Sequence, residues 1–523
     1  MNAHRKSDVS KRKEPCMALS YLIGIDLGTT MAKCVLYDQD GNPVSEAQRE
    51  MEIKYPRSGE AEQDANLFYT TTCELIRRCL EDANIERRHI SAIGIDSQMG
   101  GILPINSHYD PVTYYDTPLD SRSAEENRYM HDNFGDLIVE KNGSISTYGN
   151  KILYWKKKKE WNDIHKFVQP SSFVAGKLAG LSGKDAFMDE TFLCFSGLSD
   201  LAKSEWSEEL CEKLQVDCKK LPRIVKSTDI IGEVSREASE KTGLPQGVPI
   251  CAGCGDQAAG FIGAGIFTNG QLADVSGTAC IFAANVGSFT SDLTHRTVAC
   301  MKTALGDNYY LLSVVLGGRT HKWFVDEFFA EEKKKIEESG GDIYQFLDEQ
   351  ANTLQPGSGG LVAIDYLQGR FFPPDPYMRG LFIGHTWAHK KIHFYRSILE
   401  SIAYDHYITR EIIQELIPGL NLQEVTAIGS GAHSTLWMQI KSDVLQIPYQ
   451  NLERSDLATL GSAIIAGHSI GLFENIHDTL QKIVKKKSRI FPEAGNEKSY
   501  EKYIEIYREL FGALKKIYPM LSS

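Results

Sequence analysis

Residues 21–37 have the sequence YLIGIDLGTTMAKCVLY, in which two apolar segments flank a short turn of glycine and threonine. This pattern predicts one strand over Tyr21–Asp26 and a second over Ala32–Tyr37, joined by Leu27-Gly28-Thr29-Thr30. After one more turn, a third strand is predicted near Val44. The chain therefore opens with a meander of strands, and not with a strand that leads directly into a helix.

Beyond this meander, the chain alternates between strand and helix patterns. A helix is predicted at about residues 65–83, a strand at 90–96 and a helix of small residues at 461–466. Strands that alternate with helices in this way are typical of an α/β fold.

The second half of the chain repeats the opening pattern. Gln271–Ser276 predicts a strand, Gly277-Thr278 a turn, and Ala279–Val286 a returning strand. This repeat of a glycine–threonine turn indicates two similar domains that face a shared cleft. Six glycines between Gly253 and Gly270 predict a hinge where the two halves meet.

The length of 523 residues exceeds what one hydrophobic core supports, which also favours two domains. We predict an N-terminal domain over residues 21–258 and a C-terminal domain over residues 259–518. Residues 1–20 are mostly polar and basic and are predicted to form a disordered tail, within which Met17 offers an alternative start of translation.

Charge, hydropathy and cysteine content exclude several classes of protein. The net charge of −12 gives no attraction to a phosphate backbone, so a nucleic-acid partner is not expected. No apolar run approaches the roughly 18 residues of a membrane span, and residues 1–20 lack the apolar core of a signal peptide. Eleven cysteines without regular spacing are typical of a reducing compartment. We therefore predict a cytoplasmic protein without a membrane partner.

Four glycine-rich turns follow predicted strands, and each suits an anion. Glycine lets backbone N–H groups converge on a phosphate, and threonine hydroxyls add donors. In the first turn, Asp26 also ends a strand, where a carboxylate can hold Mg²⁺ through water. The alternative is that each is only a tight turn. The four turns are Asp26–Thr30, Ser276–Thr278, Leu316–Gly318 and Gly429–Ser434.

Other common motifs are absent or incomplete. The sequence contains no G-x-x-x-x-G-K-[ST] and no H-E-x-x-H, and Gly253-Cys-Gly255-Asp256 lacks the third glycine of a dinucleotide fingerprint. A G-x-S-x-G occurs around Ser469, but it follows a predicted helix and not a strand, which disfavours a nucleophilic serine. The one C-x-x-C, Cys251 and Cys254, lacks a second pair or a nearby histidine, which favours a structural role over a metal or redox site.

Asp256 is the strongest candidate for chemistry. It follows two glycines, where the backbone can approach a ligand closely, and it stands between the two predicted domains. Phosphoryl transfer needs positioned groups, neutralised charge and a carboxylate that accepts the hydroxyl proton. The alternative for a single aspartate after a strand is a helix cap.

A set of short segments in fixed order is similar to one known family. The segments are Gly24–Thr30, Asp96–Gly100, Leu119–Arg122, Gly253–Gln257, Ser276–Thr278, Gly380–Gly384 with His393–Glu400, Gly429–Trp437 and Ala458–Ala463. From Tyr21 to about Tyr518 the chain resembles the FGGY carbohydrate kinases, and within them the xylulokinase-like branch.

This resemblance implies two ribonuclease-H-like domains of the actin-like ATPase type around a central cleft, with the sugar deep in the cleft and ATP above it. It implies ATP- and Mg²⁺-dependent phosphorylation of a ketose or polyol, with a pentulose such as xylulose or ribulose first among them, and Asp256 as general base. The phosphates and Mg²⁺ would be held by Asp26 (through water), Gly28, Thr29 and Thr30. The nucleotide site would be lined by Gly277, Thr278, Gly317, Gly431 and Ala432. The sugar would be bordered by Gln98, Met99, Asp120, Arg122 and Asp256.

The chain departs from the family mainly in the sugar half. Gly100 stands where xylulokinases usually have a sugar-facing histidine, and Pro118 stands where a tryptophan commonly precedes the L-D-x-R motif. The resemblance therefore supports the nucleotide half more strongly than it supports xylulose itself.

Two other functions fit the same fold class. One is an actin- or chaperone-like ATPase switch, against which stands the lack of a dedicated peptide-binding domain. The other is a catalytically silent sugar sensor, against which stand the intact Asp26 and Asp256. The expected partners are a small sugar and ATP, and a homodimer is one option for the assembly.

Overall fold

The computed structural model of the protein describes residues 20–521. Apart from Ser20, the tail predicted for residues 1–20 and the alternative start at Met17 lie outside the described residues. Within residues 20–521, none of the helices has the length and apolar character that a membrane span requires.

The first half of the chain forms a seven-stranded sheet. Its strands are β1 (Tyr21–Leu27), β2 (Met31–Asp38), β3 (Pro43–Glu50), β4 (Ile90–Ser97), β5 (Ile230–Glu233), β6 (Pro249–Cys251) and β7 (Cys254–Gly255). The strand order is β5-β6-β4-β1-β2-β3, and β7 also pairs with β4. The predicted meander is confirmed, since β1, β2 and β3 pair antiparallel in succession, with Leu27 opposite Ala32 at the first turn.

The second half forms another seven-stranded sheet. Its strands are β8 (Leu272–Ser276), β9 (Cys280–Val286), β10 (Ala299–Lys302), β11 (Tyr309–Val315), β12 (Val425–Ile428), β13 (Tyr449–Leu452) and β14 (Lys486–Ile490). The strand order is β10-β11-β9-β8-β12-β13-β14. The core β11-β9-β8-β12-β13 repeats the directions of β3-β2-β1-β4-β6, two antiparallel pairs followed by two parallel pairs. The predicted internal repeat is thus present in the topology.

Fifteen helices within residues 20–521 surround these sheets. They are α1 (Ala65–Asp82), α2 (Ala124–Asn142), α3 (Gly149–Lys156), α4 (Pro170–Ala179), α5 (Glu208–Lys213), α6 (Arg236–Thr242), α7 (Asp256–Gly263), α8 (Gly317–Phe328), α9 (Ala330–Glu338), α10 (Ile343–Ala351), α11 (Lys391–Leu416), α12 (Thr435–Leu445), α13 (Leu457–Ser469), α14 (Ile476–Ile483) and α15 (Asn496–Leu514). Five short strand pairs lie outside the two sheets: Glu62–Gln63 with Tyr115–Asp116, Leu103–Ile105 with Lys166–Val168, Phe187–Asp189 with Arg223–Val225, Ser199–Asp200 with Glu205–Trp206, and Val362–Ile364 with Leu381–Ile383.

Helix α13 lies directly against the first sheet, and glycine makes this approach close. A Cβ at Gly24 of β1 would lie 1.9 Å from the backbone oxygen of Thr459, and a Cβ at Gly94 of β4 would lie 2.0 Å from that of Ser462. Only glycine leaves room for the helix backbone at these two positions. The strand ends that carry the candidate site are therefore held beneath a helix from the far end of the chain.

Candidate active site

A cavity of about 180 Å³ lies between the two sheets. It is lined by Thr29, Gln98, Met99, Pro118, Phe195, Asp256 and Gln257 from the first half, and by Ile281, Met301, Leu312 and Val314 from the second. Four predicted site residues, Thr29, Gln98, Met99 and Asp256, are thus brought to one place. The volume is below the roughly 300–1,000 Å³ of pockets for drug-sized ligands, which indicates a small ligand.

Two carboxyl groups meet at the ends of adjacent parallel strands. Asp26 of β1 lies directly opposite Asp96 of β4 in the ladder. Helix α13 contacts this pair, since the hydroxyl of Ser462 donates to Asp96 Oδ2 over 2.6 Å. Oδ1 of Asp26 and Oδ1 of Asp96 are both buried without a hydrogen-bond partner among the described residues.

Asp256 joins this pair through the turn that precedes it. Gly255 of β7 pairs with Ser97, next to Asp96, and Asp256 is the first residue of α7. Gly253 makes the turn with φ of +73°, and a Cβ there would lie 1.8 Å from the backbone oxygen of Ile95, so glycine is required. The carboxylate of Asp256 accepts the backbone N–H of Gln257 over 2.7 Å.

A buried aspartate anchors the turn from behind. Asp189 accepts hydrogen bonds from the backbone N–H and the hydroxyl of Thr191, at 2.9 and 2.6 Å. The Thr191 hydroxyl oxygen in turn accepts the backbone N–H of Gly255 over 2.9 Å. The position of Asp256 is therefore fixed by hydrogen bonds that leave its carboxylate facing the cavity.

Within residues 20–521, none of the three aspartates forms a salt bridge that would compensate its burial. Burial raises the pKa of Asp26 to about 6, although Asp96 and Lys33 act in the opposite direction. Burial and the charge of Asp26 raise the pKa of Asp256 to about 7. Burial, followed by the charge of Asp26, places the pKa of Asp96 well above its usual range. Such clusters of unpaired acids in a cleft are typical of functional sites.

Asp96 was missed as a site residue from the sequence. It belongs to the motif Asp96–Gly100, but only the alignment of β4 with β1 places it opposite Asp26. The signal that could have found it is that Gly24-Ile25-Asp26 and Gly94-Ile95-Asp96 repeat the same three residues at two strand ends.

The predicted sugar residues separate into two groups. Gln98 lines the cavity, where its amide oxygen accepts the Thr29 hydroxyl at 3.0 Å and its amide nitrogen donates to Gln63 at 2.7 Å. Arg122 instead binds Asp120, with its Nη2 2.6 Å from Asp120 Oδ2, and Glu62, at 2.7 Å. Asp120 and Arg122 are not among the residues that line the cavity.

The second, third and fourth glycine turns meet one another. A Cβ at Gly318 would lie 1.7 Å from the backbone oxygen of Gly277, and one at Gly431 would lie 2.6 Å from the Cβ of Ser276. Gly317 begins α8, and Ala432 lies in the 3₁₀ turn Ser430–His433. The predicted nucleotide residues Gly277, Thr278, Gly317, Gly431 and Ala432 therefore share one region at the ends of β8 and β12.

A buried ion pair supports the second turn from beneath. Asp274 of β8 lies 2.7 Å from Nζ of Lys441 and 3.5 Å from Nδ1 of His406. Lys441 also donates to the hydroxyl of Ser276 over 2.6 Å. Despite burial, Lys441 and His406 hold the pKa of Asp274 well below its usual range.

The first turn suits a hydrated Mg²⁺ beside phosphate. Asp26 offers one buried oxygen without a partner, and hard oxygen ligands are those that Mg²⁺ prefers. Residues 20–521 contain no group of three or more His, Cys, Asp or Glu side chains that could enclose a metal. The free oxygen of Asp26 fits a hydrated ion, for which Asp26 would be the protein ligand.

The remaining motifs are built into the framework. Cys251 and Cys254 are free and buried in β6 and β7. Ser469 is the last residue of α13, and its hydroxyl donates to the backbone oxygen of Ile465 over 2.8 Å. The G-x-S-x-G motif therefore lies at the end of helix α13, as predicted, and not at a strand-to-helix turn.

Comparison with known proteins gives a consistent result. The model of the FGGY family of carbohydrate kinases, N-terminal domain, matches residues 21–263, and that of the C-terminal domain matches residues 275–470. A xylulose kinase from Bacillus subtilis (strain 168) is 25% identical over 512 residues, which cover 97% of this chain and 99% of the relative. An autoinducer-2 kinase from Escherichia coli O139:H28 is 25% identical over 529 residues, which cover 95% of this chain and 96% of the relative.

Solved structures share the fold. A ligand-bound xylulose kinase from Lactobacillus acidophilus has a TM-score of 0.87 at 24% identity, covering 96% of this chain and all of that one (100%). A glycerol kinase from Plasmodium falciparum, solved with ADP, has a TM-score of 0.81 at 19% identity, covering 94% of this chain and 98% of that one. These likenesses confirm the predicted α/β fold of two actin-like domains.

Proposed function

Because the chain belongs to the FGGY family of carbohydrate kinases, we propose that it transfers the γ-phosphoryl group of ATP to a hydroxyl of a ketose or polyol. A pentulose such as xylulose or ribulose is the first candidate, and Asp256 is the general base. The observation that carries this proposal is the position of Asp256. Its carboxylate is half-buried, has no cationic partner among the described residues, and lines the cavity between the two sheets.

Asp256 performs the proton transfer. With a pKa near 7 it is largely ionised at a slightly alkaline pH, and it is a better base than an ordinary aspartate. As the substrate oxygen forms its bond to phosphorus and the bond to ADP breaks, the hydroxyl proton passes to the Asp256 carboxylate. The hydrogen bond from the Gln257 backbone keeps the carboxylate aimed at the cavity throughout.

The glycine turns and Asp26 hold the phosphates. Backbone N–H groups at Gly28, Thr29 and Thr30 suit the transferred group, and those around Gly277, Gly317 and Gly431 suit the remainder of the nucleotide. Mg²⁺, when bound, neutralises charge on the phosphates. Asp26 would hold this ion through water, and the charge of the ion would shield the three aspartates from the phosphates.

The names of the relatives give several candidates for the acceptor. They include xylulose kinases, autoinducer-2 kinases, a gluconate kinase and a glycerol kinase. We favour a ketose or polyol of five to seven carbons over glycerol because Gln98-Met99 is similar to the ketose-kinase branch, whereas glycerol kinases carry an arginine–glutamate pair there.

ADP release with a panel of pentuloses, hexuloses, polyols and glycerol tests this proposal. We expect strong stimulation by at least one ketose or polyol of five to seven carbons. If glycerol gave the highest kcat/KM, the assignment of substrate class would be wrong. ADP release that no sugar stimulates would instead favour the ATPase switch, and sugar binding without ADP release would favour the silent sensor.

A further inference from the structure

The cavity between the sheets has two chemically different sides. Its polar groups belong to the first half of the chain, namely Thr29, Gln98, Asp256 and Gln257, and are called the polar floor below. The second half contributes only Ile281, Met301, Leu312 and Val314, called the apolar wall. Met99, Pro118 and Phe195 of the first half add further apolar surface, so seven of the eleven lining side chains are apolar.

The apolar wall is one continuous face of the second sheet. Ile281 of β9 lies directly opposite Val314 of β11, and Leu312 lies two residues before Val314 on the same face. Met301 of β10 pairs with Tyr310, which continues this face. The Tyr310 hydroxyl donates to the backbone oxygen of Ile266 over 2.6 Å, so it is not free for a ligand. The wall therefore offers a ligand no hydrogen bonds from its lining side chains.

Most of the polar floor is already paired. The Thr29 hydroxyl donates to Gln98, and the Gln98 amide nitrogen donates to Gln63. Gln257 binds Asp256 through its backbone N–H, and its side chain also lowers the pKa of Asp256 as a hydrogen-bond donor. The carboxylate of Asp256 remains as the strongest free acceptor in the cavity.

A fully hydroxylated ketose fits the apolar wall less well than its 1-deoxy counterpart does. It carries an oxygen on every carbon, and each hydroxyl pressed against the apolar wall would lose its hydrogen bonds to water without replacement. A methyl group at the same place would gain from burial. The two sides of the cavity thus match a ligand that is polar at one end and apolar at the other.

We propose that the substrate is a 1-deoxyketose, which places its terminal hydroxyl at Asp256 and its methyl group against Ile281, Met301, Leu312 and Val314. This rests on the kinase function proposed above, because the terminal hydroxyl must lie at the base. With one end of the carbon chain held at the polar floor, the apolar wall is left for the other end. The apolar wall then determines specificity, and the polar floor determines where phosphate is added.

Matched pairs of substrates test this inference on the full chain. ADP release is measured with xylulose and 1-deoxyxylulose, and with ribulose and 1-deoxyribulose, each as the D enantiomer. We expect kcat/KM to favour the deoxy member of the better pair by roughly 10- to 100-fold, the range over which an apolar pocket discriminates against an added hydroxyl. A site built to bind the 1-hydroxyl would instead reject the deoxy member by about 10⁴-fold or more.

Two valine variants test whether the apolar wall causes the preference for the deoxy substrate. Val314→Thr keeps the shape but adds a hydroxyl to the wall, and should reduce the deoxy preference about tenfold. Val315→Thr makes the same change at the next position of β11, on the opposite, buried side of the strand, and should leave the preference unchanged.

The outcomes separate the two proposals. Activity that favours xylulose or ribulose over its deoxy partner overturns the deoxyketose inference and leaves the kinase assignment intact. Equal loss of preference in both valine variants overturns the role of the wall. No sugar-stimulated ADP release with any member of the pairs or of the wider panel removes the proposed function and this inference with it.

Discussion

Asp274 is fully buried and Asp256 is half-buried, both next to glycine turns, and their charged surroundings are opposite. Asp274 has a fixed ammonium group at 2.7 Å and a histidine at 3.5 Å, which hold its pKa well below the usual range. Asp256 has no such partner, and its burial together with the charge of Asp26 raises its pKa to about 7. The second half of the molecule balances the charge of Asp274 with an ion pair, whereas the first half leaves the charge of Asp256 without one.

This difference distinguishes a structural role for Asp274 from the chemical role that we propose for Asp256. An ion-paired carboxylate such as Asp274 does not take up a proton near neutral pH, but it can hold Lys441 and Ser276 beneath the second glycine turn. An uncompensated carboxylate such as Asp256 destabilises the fold when ionised and is for that reason able to accept a proton. The four predictions that follow test this contrast, and they are ordered by the size of the expected effect.

The largest effect is expected for Asp256→Asn. Asparagine keeps the shape and can still hydrogen-bond the substrate hydroxyl, but it cannot accept the proton. We expect kcat to fall by roughly 10²–10⁴-fold. The affinity for ATP should change little, because the nucleotide site that we propose lies at the glycine turns. Asp26→Asn is the matched comparison and should instead weaken the dependence on Mg²⁺. A near-wild-type kcat for Asp256→Asn on the best substrate would place the base elsewhere.

Breaking the ion pair of the second half should strongly reduce stability. Lys441→Met removes the ammonium group and leaves the buried Asp274 charge with His406 and the hydroxyl groups of Ser276 and Tyr449. We expect the free energy of unfolding, measured in urea, to fall by about 3–5 kcal/mol. Lys333→Met breaks a more exposed pair with Asp326 and should cost at most about 1 kcal/mol. Equal effects of the two variants would show that the Asp274 pair has no special role.

Replacing each of the two aspartates with asparagine should change the stability of the protein in opposite directions. The folded-state pKa of Asp256 is raised, so its ionisation disfavours the fold from about pH 4 upward, most fully above pH 7. Asp256→Asn should therefore be more stable than wild type at pH 8, by roughly 1–3 kcal/mol, with the gain gone by pH 4. Asp274→Asn should be less stable at pH 8, because a lowered pKa stabilises the fold at that pH. Thermal melts at pH 8 would refute the contrast if both variants shifted in the same direction, and melts at pH 4 test whether the gain of Asp256→Asn is lost there.

The smallest effect is expected at Cys251 and Cys254. Both thiols are buried in the first sheet, and burial is the main cause that raises their pKa. Replacing both with alanine should leave kcat/KM within a few-fold and should not change bound metal. Stoichiometric zinc that is present in the wild type and lost in the double variant would contradict the structural role.

The sequence predicted the fold because its signals were local. Alternating apolar segments and glycine–threonine turns mark β1–β2 and β8–β9 in both halves, and the pairing of each follows from adjacency in the chain. Asp256 was also found from local features, namely two glycines before a carboxylate.

The features of the site that the sequence could not predict depend on contacts between residues far apart in the chain. Asp96 meets Asp26 only because β4 lies beside β1, and its Ser462 partner comes from 366 positions away. Arg122 and Asp120 match the family motif, yet they bind each other and Glu62 rather than line the cavity. The apolar wall likewise has no motif, since it forms from three strands of the second sheet.

The pH dependence of kcat/KM on the best substrate tests the central claim most directly, because it reports the protonation state of the base in the free enzyme. We predict an ascending limb of unit slope with a midpoint near pH 7, set by Asp256. In Asp26→Asn the limb should move to lower pH, because removing that charge lowers the pKa of Asp256. In Asp256→Asn the limb should disappear. An ascending limb near pH 7 that persists unchanged in Asp256→Asn would contradict the assignment of Asp256 as the base.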